Sequence, residues 1–116
     1  MSDLSAAFIM LEDRWLHVGV GERVERVKAV GRIRKPWQFC DVYGGTDCYY
    51  DRIELHFVSG ELWLNHQELK DHPGGVEVEE STWHCSPDGL RWSAANERPA
   101  EEGEFLGALE TDPSAE

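Results

Sequence analysis

The sequence predicts a mainly β domain, α+β at most, built as a small antiparallel barrel or a strongly bent sheet of six to seven short strands. Two observations lead to this prediction. Apolar and polar residues alternate along several runs, and turns that contain glycine or proline separate those runs. The length of 116 residues suits one domain, which we place at residues 1–96.

The first element is the exception to the alternating pattern. Phe8, Leu11 and Trp15 recur at helical spacing, so a short N-terminal helix is expected within residues 4–16. From Leu16 onward the alternation of a strand takes over, and Gly19 and Gly21 interrupt it.

A basic segment follows at residues 23–35, where six of the eleven basic residues of the chain fall with a single acid. The formal charge of this segment is +5, whereas that of the whole chain is −12. Its alternation predicts a strand with Val27 and Ile33 on one side. We predict that the other side is an exposed basic binding face that consists of Arg26, Lys28, Arg32 and Arg34.

The middle of the chain is predicted to form paired strands. We expect a strand from Trp37 to Tyr43, a turn at residues 44–47 and a second strand from Cys48. A hairpin with a two-residue turn at Ser59-Gly60 is the clearest element of all. Its predicted opposite pairs are Phe57 with Leu62, Leu55 with Leu64 and Ile53 with His66 on the buried side, and His56 with Trp63 and Glu54 with Asn65 on the other.

Two more strands complete the predicted fold. Val76 and Val78 alternate with glutamates, which predicts a strand with one acidic face. A last hairpin is expected to turn at residues 86–89 and to set Cys85 opposite Arg91 and His84 opposite Trp92.

Two short strings resemble motifs of known families. The His-Pro-Gly-Gly string of residues 72–75 resembles the haem-ligand motif of the cytochrome b5 family, but the residues after it alternate like a strand where that family continues into a helix. We therefore interpret it as a turn and predict no cofactor. The string from Ser86 to Trp92 resembles the Asp-box hairpin of β-propeller proteins, one residue short in spacing. We interpret it as a structural turn whose aspartate bonds nearby amides while a tryptophan packs behind it.

Residues of the types that bind zinc are present without a zinc-finger spacing. These weak metal candidates are His66, His72, His84 and Cys85, and we predict that no metal is bound. Neither Cys40 nor Cys48 has the local signature of a catalytic nucleophile, so no catalytic residue is predicted. The sequence leaves open whether these two cysteines form a disulfide bridge.

The aromatic residues are more numerous than one small core easily hides. Some of them are expected to be exposed or to line a pocket, although an equally good interpretation is that they fill the core. The candidates for an aromatic binding site are Trp37, Tyr43, Tyr49, Trp63 and Trp92.

The C-terminal residues 97–116 combine many acids with little apolar bulk, so we expect a disordered, flexible acidic tail. Within this tail, the apolar cluster from Phe105 to Leu109 is the one part that could dock, on this chain or on a partner. An odd number of cysteines, no CxxC pair and no apolar run or secretory signal at the start favour a reduced cytoplasmic protein without a membrane segment.

These observations favour a non-enzymatic, acidic binding protein that acts through a protein–protein contact surface. Such composition is typical of accessory, inhibitor, immunity or anti-defence proteins, some of them from mobile elements. The net charge argues against nucleic-acid binding except by mimicry, and a homodimer is left open. The alternative is a small-molecule-binding β domain with an aromatic-lined pocket, in which catalysis is left open.

Overall fold

A computed structural model describes residues 4–28, 30, 31, 33, 37, 38, 48–72 and 74–111 of the chain. The described residues form one short 3-10 helix, Leu4–Ala6, and nine strands. The strands are β1 (Phe8–Glu12), β2 (Trp15–Val20), β3 (Arg23–Arg26), β4 (Trp37–Gln38), β5 (Cys48–Val58), β6 (Glu61–His72), β7 (Gly75–Ser86), β8 (Ser93–Ala95) and β9 (Glu104–Glu110). No helix in this part of the chain is long and apolar enough to cross a membrane.

The strands build two antiparallel sheets, and no closed barrel forms among the described strands. The small sheet has the order β1-β2-β3. The large sheet has the order β4-β5-β6-β7-β8, and β9 pairs with the same edge of β5 that β4 occupies further along. Strand β1 lies beside β9, so the two sheets meet along the C-terminal strand. The mainly β, antiparallel prediction is confirmed, whereas the strands are more numerous than expected and three of them are long.

The central hairpin forms as predicted. The turn at Ser59-Gly60 joins β5 to β6, and all five predicted opposite pairs are present. Both turn residues have positive φ, 50° and 82°, which is the geometry of a two-residue hairpin that follows the natural twist of the strands. Ile53, Leu55 and Leu64 are completely buried.

The core lies between the inner face of the large sheet and one face of the small sheet. Its buried members come from both sheets, from the residue before β1 and from the segment after β3: Ala7, Leu16, Val18, Val20, Val27, Ile33, Ile53, Leu55, Leu62 and Leu64. Leu106 and Leu109 of β9 pack against this cluster. The fold is therefore held by apolar contacts between residues that are far apart in sequence.

The prediction of an N-terminal helix is wrong. Phe8–Glu12 is strand β1, which pairs with β2 through a two-residue turn at Asp13-Arg14. Both turn residues have positive φ, 51° and 64°. The helical spacing of three apolar residues is misleading here, because Asp-Arg is not a typical turn pair and gives no signal of the hairpin.

The basic segment is not one continuous strand. Strand β3 ends at Arg26, and Gly31 has a positive φ of 67°. The chain turns and returns to β2, where the amide of Val27 donates to the carbonyl of Leu16 and the amide of Ile33 to that of Arg14. Val27 and Ile33 are both buried, as their predicted side requires. Val27 continues the pairing of β3 with β2, whereas Ile33 returns beside Arg14 after the turn.

The expectation of a disordered tail is wrong for residues 104–111. Strand β9 pairs with β5 from Arg52 to Phe57, and Thr111 continues the contact by donating its amide to the carbonyl of Asp51. The apolar cluster of this segment thus docks on its own chain, which its acidic composition concealed. Residues 112–116 lie outside the described part of the chain.

The last hairpin has a wider turn than predicted. Cys85 lies opposite Ser93 and His84 opposite Ala94, so the connection runs from Ser86 to Trp92. Hydrogen bonds within this loop explain the difference, because the carboxylate of Asp88 accepts from the amides of Leu90 and Arg91. These amides are then not used to extend the strand ladder.

Candidate functional site

The outer face of the large sheet, which points away from the core, carries a cluster of aromatic rings. We call His56, Trp63, Trp83 and Phe105 the aromatic face. The four residues come from β5, β6, β7 and β9, and sheet register brings them together: His56 lies opposite both Trp63 and Phe105. Apolar rings on the water-facing side of a sheet add little to a core, so this cluster is the first candidate for a binding surface.

The rings of the aromatic face touch one another. The ring centroids of His56 and Phe105 are 5.5 Å apart, those of His56 and Trp83 5.8 Å, and those of Trp63 and Trp83 6.2 Å. The interplanar angles lie between 45° and 70°, in the tilted to edge-on range that aromatic pairs prefer. The rings therefore hold each other in place, and Phe105 still leaves 54% of its surface exposed.

A β-bulge places Phe105 on this face. The pairing of β5 with β9 shifts between Leu55 and His56, so that Gly107 lies opposite Leu55 and Phe105 opposite His56. Leu106 is the extra residue. Because side chains alternate along a strand, without the bulge Phe105 would share the inward face with Leu109.

A row of charged side chains runs beside the rings. Nε of Arg52 lies 3.0 Å from one oxygen of Glu54, and Nε2 of His56 lies 3.1 Å from the other. Burial by itself would raise the pKa of Glu54, but the hydrogen bonds from Arg52 and His56 outweigh it and lower the pKa of this carboxyl. Glu54 is therefore an anion near neutral pH and fixes the orientation of the His56 ring.

The segment of residues 98–103 rises beside the aromatic face and turns it into a groove. The resulting cavity of about 470 Å³, which we call the aromatic groove, is lined by His56, Val58, Trp83, Phe105 and residues 98–103. A side chain at Gly103 would collide with the backbone of Phe57, so only glycine allows the segment to approach so closely. Glu101 also accepts a hydrogen bond from Ser59 in the β5–β6 turn.

The chemistry of the aromatic groove is that of a binding site. Aromatic rings offer large contact areas and electron-rich faces, and the lining carries two acids, Glu101 and Glu102, against one base, Arg98. The thiol of Cys85 lies on the same outer face, opposite Trp63. Burial and the charge of Glu61 raise the pKa of Cys85, so its reactive thiolate form is disfavoured.

A second cavity, of about 370 Å³, separates the loop after β7 from the small sheet. Its wall is the Asp-box-like loop, in which Oγ of Ser86 accepts from the amide of Gly89 and the indole of Trp92 donates to the carbonyl of Gly89. Hydrogen bonds from the amides of Leu90 and Arg91 lower the pKa of Asp88 to about 2. The predicted hydrogen bonds from nearby amides to this aspartate are present.

The predicted basic face is only partly described. Arg26 and Lys28 are exposed, and the guanidinium of Arg26 lies over the ring of Trp15, 4.4 Å from its centroid. Arg32 and Arg34 lie outside the described residues. That these four residues form a binding face stays a prediction.

The predicted aromatic candidates are scattered. Trp63 belongs to the aromatic face, whereas Trp92 lies in the Asp-box-like loop and the Tyr49 ring lies 5.9 Å from Nζ of Lys70. Trp37 is in β4, and Tyr43 lies outside the described residues. Sequence reasoning left His56, Trp83 and Phe105 out of the site, although the correctly predicted pairing of His56 with Trp63 was a usable signal.

The weak metal candidates do not come together. His66 lies on the inner face with Nε2 at 3.0 Å from an Asp51 oxygen, and His84 is on the same face. Cys85 points to the outer face, and His72 ends β6. Within the described ranges no group of three or more histidine, cysteine or acidic side chains is arranged to hold a metal ion.

A comparison of this chain with family models, with characterised proteins and with solved structures finds no match. Function is therefore inferred from the arrangement of the residues alone.

Proposed function

We propose that this protein is a non-enzymatic binding protein that holds a segment of a protein partner in the aromatic groove. The single observation that carries the proposal is the convergence of four rings on the outer face of the large sheet. Three of these rings are half-buried and the fourth is largely exposed. Rigid aromatic anchors of this kind are typical of the centre of protein–protein interfaces.

Two features of the groove support a preformed site. The rings are fixed by mutual contacts and by the Glu54–His56 hydrogen bond, so little side-chain entropy is lost when a partner binds. The wall at residues 98–103 is held by the close approach of Gly103 and by the bond from Ser59 to Glu101. A preorganised surface converts more of its contact area into affinity than a flexible one.

The charge of the site favours a partner segment with basic residues. The lining has an excess of acid, and the chain as a whole has a formal charge of −12. A lysine or arginine side chain would meet the faces of Trp83 and Phe105 and the carboxylates of Glu101 and Glu102. The assignment to an accessory, inhibitor, immunity or anti-defence class rests on composition and stays a prediction.

The experiment that tests this function compares the parent protein with Phe105→Ser on an affinity matrix that is exposed to extract of the source cell. We expect at least one protein to be retained by the parent and lost with the variant. Leu90→Ser is the matched control, since Leu90 is exposed to a similar degree outside the groove. Calorimetry with the purified partner should show about tenfold weaker binding for Phe105→Ser. Equal binding by parent and variant would contradict the proposal.

Small-molecule binding in the same groove is the second candidate function. The Glu54–His56 pair on the groove wall favours it, because a histidine oriented by a carboxylate is a common recognition or proton-transfer group. Native mass spectrometry of the protein from its own cell distinguishes the two functions. A bound compound of low mass that is lost in His56→Gln would favour the second candidate, and a bound polypeptide would favour the first.

A further inference from the structure

We propose that two copies of this chain associate through the edges of their sheets, the basic edge of one copy against the acidic edge of the other. The basic edge is β3 with the residue pair that follows it, and its cations are Arg23, Arg26 and Lys28. The acidic edge is residues 75–80 of β7, and its anions are Glu77, Glu79 and Glu80. This contact is separate from the aromatic groove and does not depend on the proposed function.

Both edges are open in the part of the chain that the structure describes. Strand β3 pairs with β2 alone, and β7 pairs with β8 only from Trp83 to Cys85. Residues 75–82 of β7 therefore have a strand neighbour on one side, β6. An open edge presents backbone amides and carbonyls that a strand from another chain can pair with.

Exposed valines mark both edges. Val24 of β3 is 46% exposed, and Val76 and Val78 of β7 are each 56% exposed. Val76 and Val78 point to the same face, and a bulge at Glu79 separates them from the rest of β7. Contact between the two edges would cover apolar surface that the isolated chain leaves in water.

Charge complementarity commits the proposal to a second copy. The basic edge, residues 23–28, carries three bases and one acid, a net charge of +2, in a chain whose formal charge is −12. Residues 75–80 carry three acids and no base. Pairing β7 with another β7 would bring like charges together, whereas pairing it with β3 brings opposite charges together.

The proposed contact joins two unlike edges, and each copy has one edge of each kind. The contact is therefore heterologous: the basic edge of every copy can meet the acidic edge of a neighbour. Among the edge side chains, Arg23 lies 3.6 Å from Glu25 and Glu79 lies 3.8 Å from Lys70, in ion pairs whose members are partly exposed. Exposed pairs of this kind exchange partners at little free-energy cost.

Exchange of charge between the two edges is the decisive experiment. One variant combines Arg23→Glu with Arg26→Glu, and the other combines Glu79→Lys with Glu80→Lys. Sedimentation analysis at roughly 100 µM protein and low ionic strength, where the Debye length is about 30 Å, measures the association. We expect the parent to associate, and we expect each variant alone to have a dissociation constant at least about tenfold higher, because both of its edges then have the same sign.

The mixture of the two variants is the internal control for folding. In an equimolar mixture each edge again meets an edge of opposite charge, so association should return to the level of the parent. The single variants Arg91→Glu and Glu97→Lys make substitutions of the same two kinds at other exposed positions and should leave association unchanged. A parent that stays monomeric under these conditions would overturn the proposal, as would variants that associate like the parent or a mixture that stays monomeric.

Discussion

The inner and outer faces of the large sheet are made by the same strands and differ in the side chains that they carry. On the inner face Ile53, Leu55 and Leu64 are completely buried and join the core. On the outer face their neighbours Glu54, His56 and Trp63 form a charged and aromatic surface. Because successive side chains point to opposite faces, the same strands can carry the core on one face and the proposed binding surface on the other.

Truncation of a buried side chain on the inner face should cost the most stability. Leu55→Ala should lower the free energy of unfolding by about 2–5 kcal/mol, because it removes a completely buried side chain and leaves a cavity. Its neighbour on the outer face gives the contrast. Glu54→Gln should lower the free energy by less than about 1 kcal/mol, since its ion pairs are partly exposed. Urea unfolding measures both, and similar losses would break the separation of the two faces.

Strand β9 contributes a side chain to each face, Leu109 to the inner face and Phe105 to the outer face. Leu109→Ala should lower the free energy of unfolding by about 1–3 kcal/mol, less than at a fully buried site, since Leu109 packs against the core. Phe105→Ala should change it by less than about 1 kcal/mol, since Phe105 is largely exposed. Thermal unfolding distinguishes them. No loss of stability from Leu109→Ala would show that β9 does not dock.

The stability of the inner face is expected to depend on pH, because His84 is an ionisable residue on this face. Burial, and then the neighbouring His66, lower the pKa of His84 below its ordinary value of 6.5. Among the described residues no group is within hydrogen-bonding distance of its Nδ1 atom, which is buried. The unfolded chain therefore binds a proton more readily, and this residue destabilises the fold as pH falls below about 6.5.

His84→Leu should accordingly lose less stability than the parent when the pH is lowered from 7 to 5. Urea unfolding at a series of pH values measures the difference between the two proteins. An identical pH dependence in both would show that the His84 imidazole is protonated as easily in the folded chain as in the unfolded one.

The smallest expected effect lies off both faces, at the turn between β1 and β2. Arg14 has a φ of 64°, a conformation that glycine adopts without strain. Arg14→Gly should therefore raise the free energy of unfolding by about 0.5–1 kcal/mol. Asp13→Gly is the comparison, with a smaller gain, because aspartate tolerates positive φ better than arginine. A loss of stability in Arg14→Gly would indicate that the arginine side chain itself holds the turn.

The sequence predicts the two faces well where the pattern is local. The alternation around Ser59-Gly60 specifies the turn, the register and the buried side of β5 and β6, because a one-residue slip would expose every apolar residue. The sequence pattern is less informative where the two paired strands are distant in sequence. Nothing near Phe105 in the sequence shows that β5 is its partner, and the acids around it hide a strand that tertiary packing stabilises.

The candidate site was predictable only in part for the same reason. Trp63 and its pairing with His56 follow from the hairpin, whereas Trp83 joins them through β7 and Phe105 through a bulge. The sequence pattern also favoured one straight basic strand, because Val27 and Ile33 are an even number of residues apart and would lie on the same side of a strand. Gly31 instead allows the chain to turn back to β2, which keeps the burial of both residues and changes the path between them.

The bulge at Leu106 makes the orientation of Phe105 depend on the number of residues in β9 as well as on their types. Phe105 and Leu109 are four positions apart, an even spacing that would place both side chains on one face of a regular strand. Loss of Leu106 would make this spacing odd and keep Phe105 opposite His56 without a bulge. The same loss would remove a side chain that packs against the core. An outward ring at this position therefore requires either the bulge or a shorter strand, and a regular strand of the present length would take the most exposed ring away from the groove.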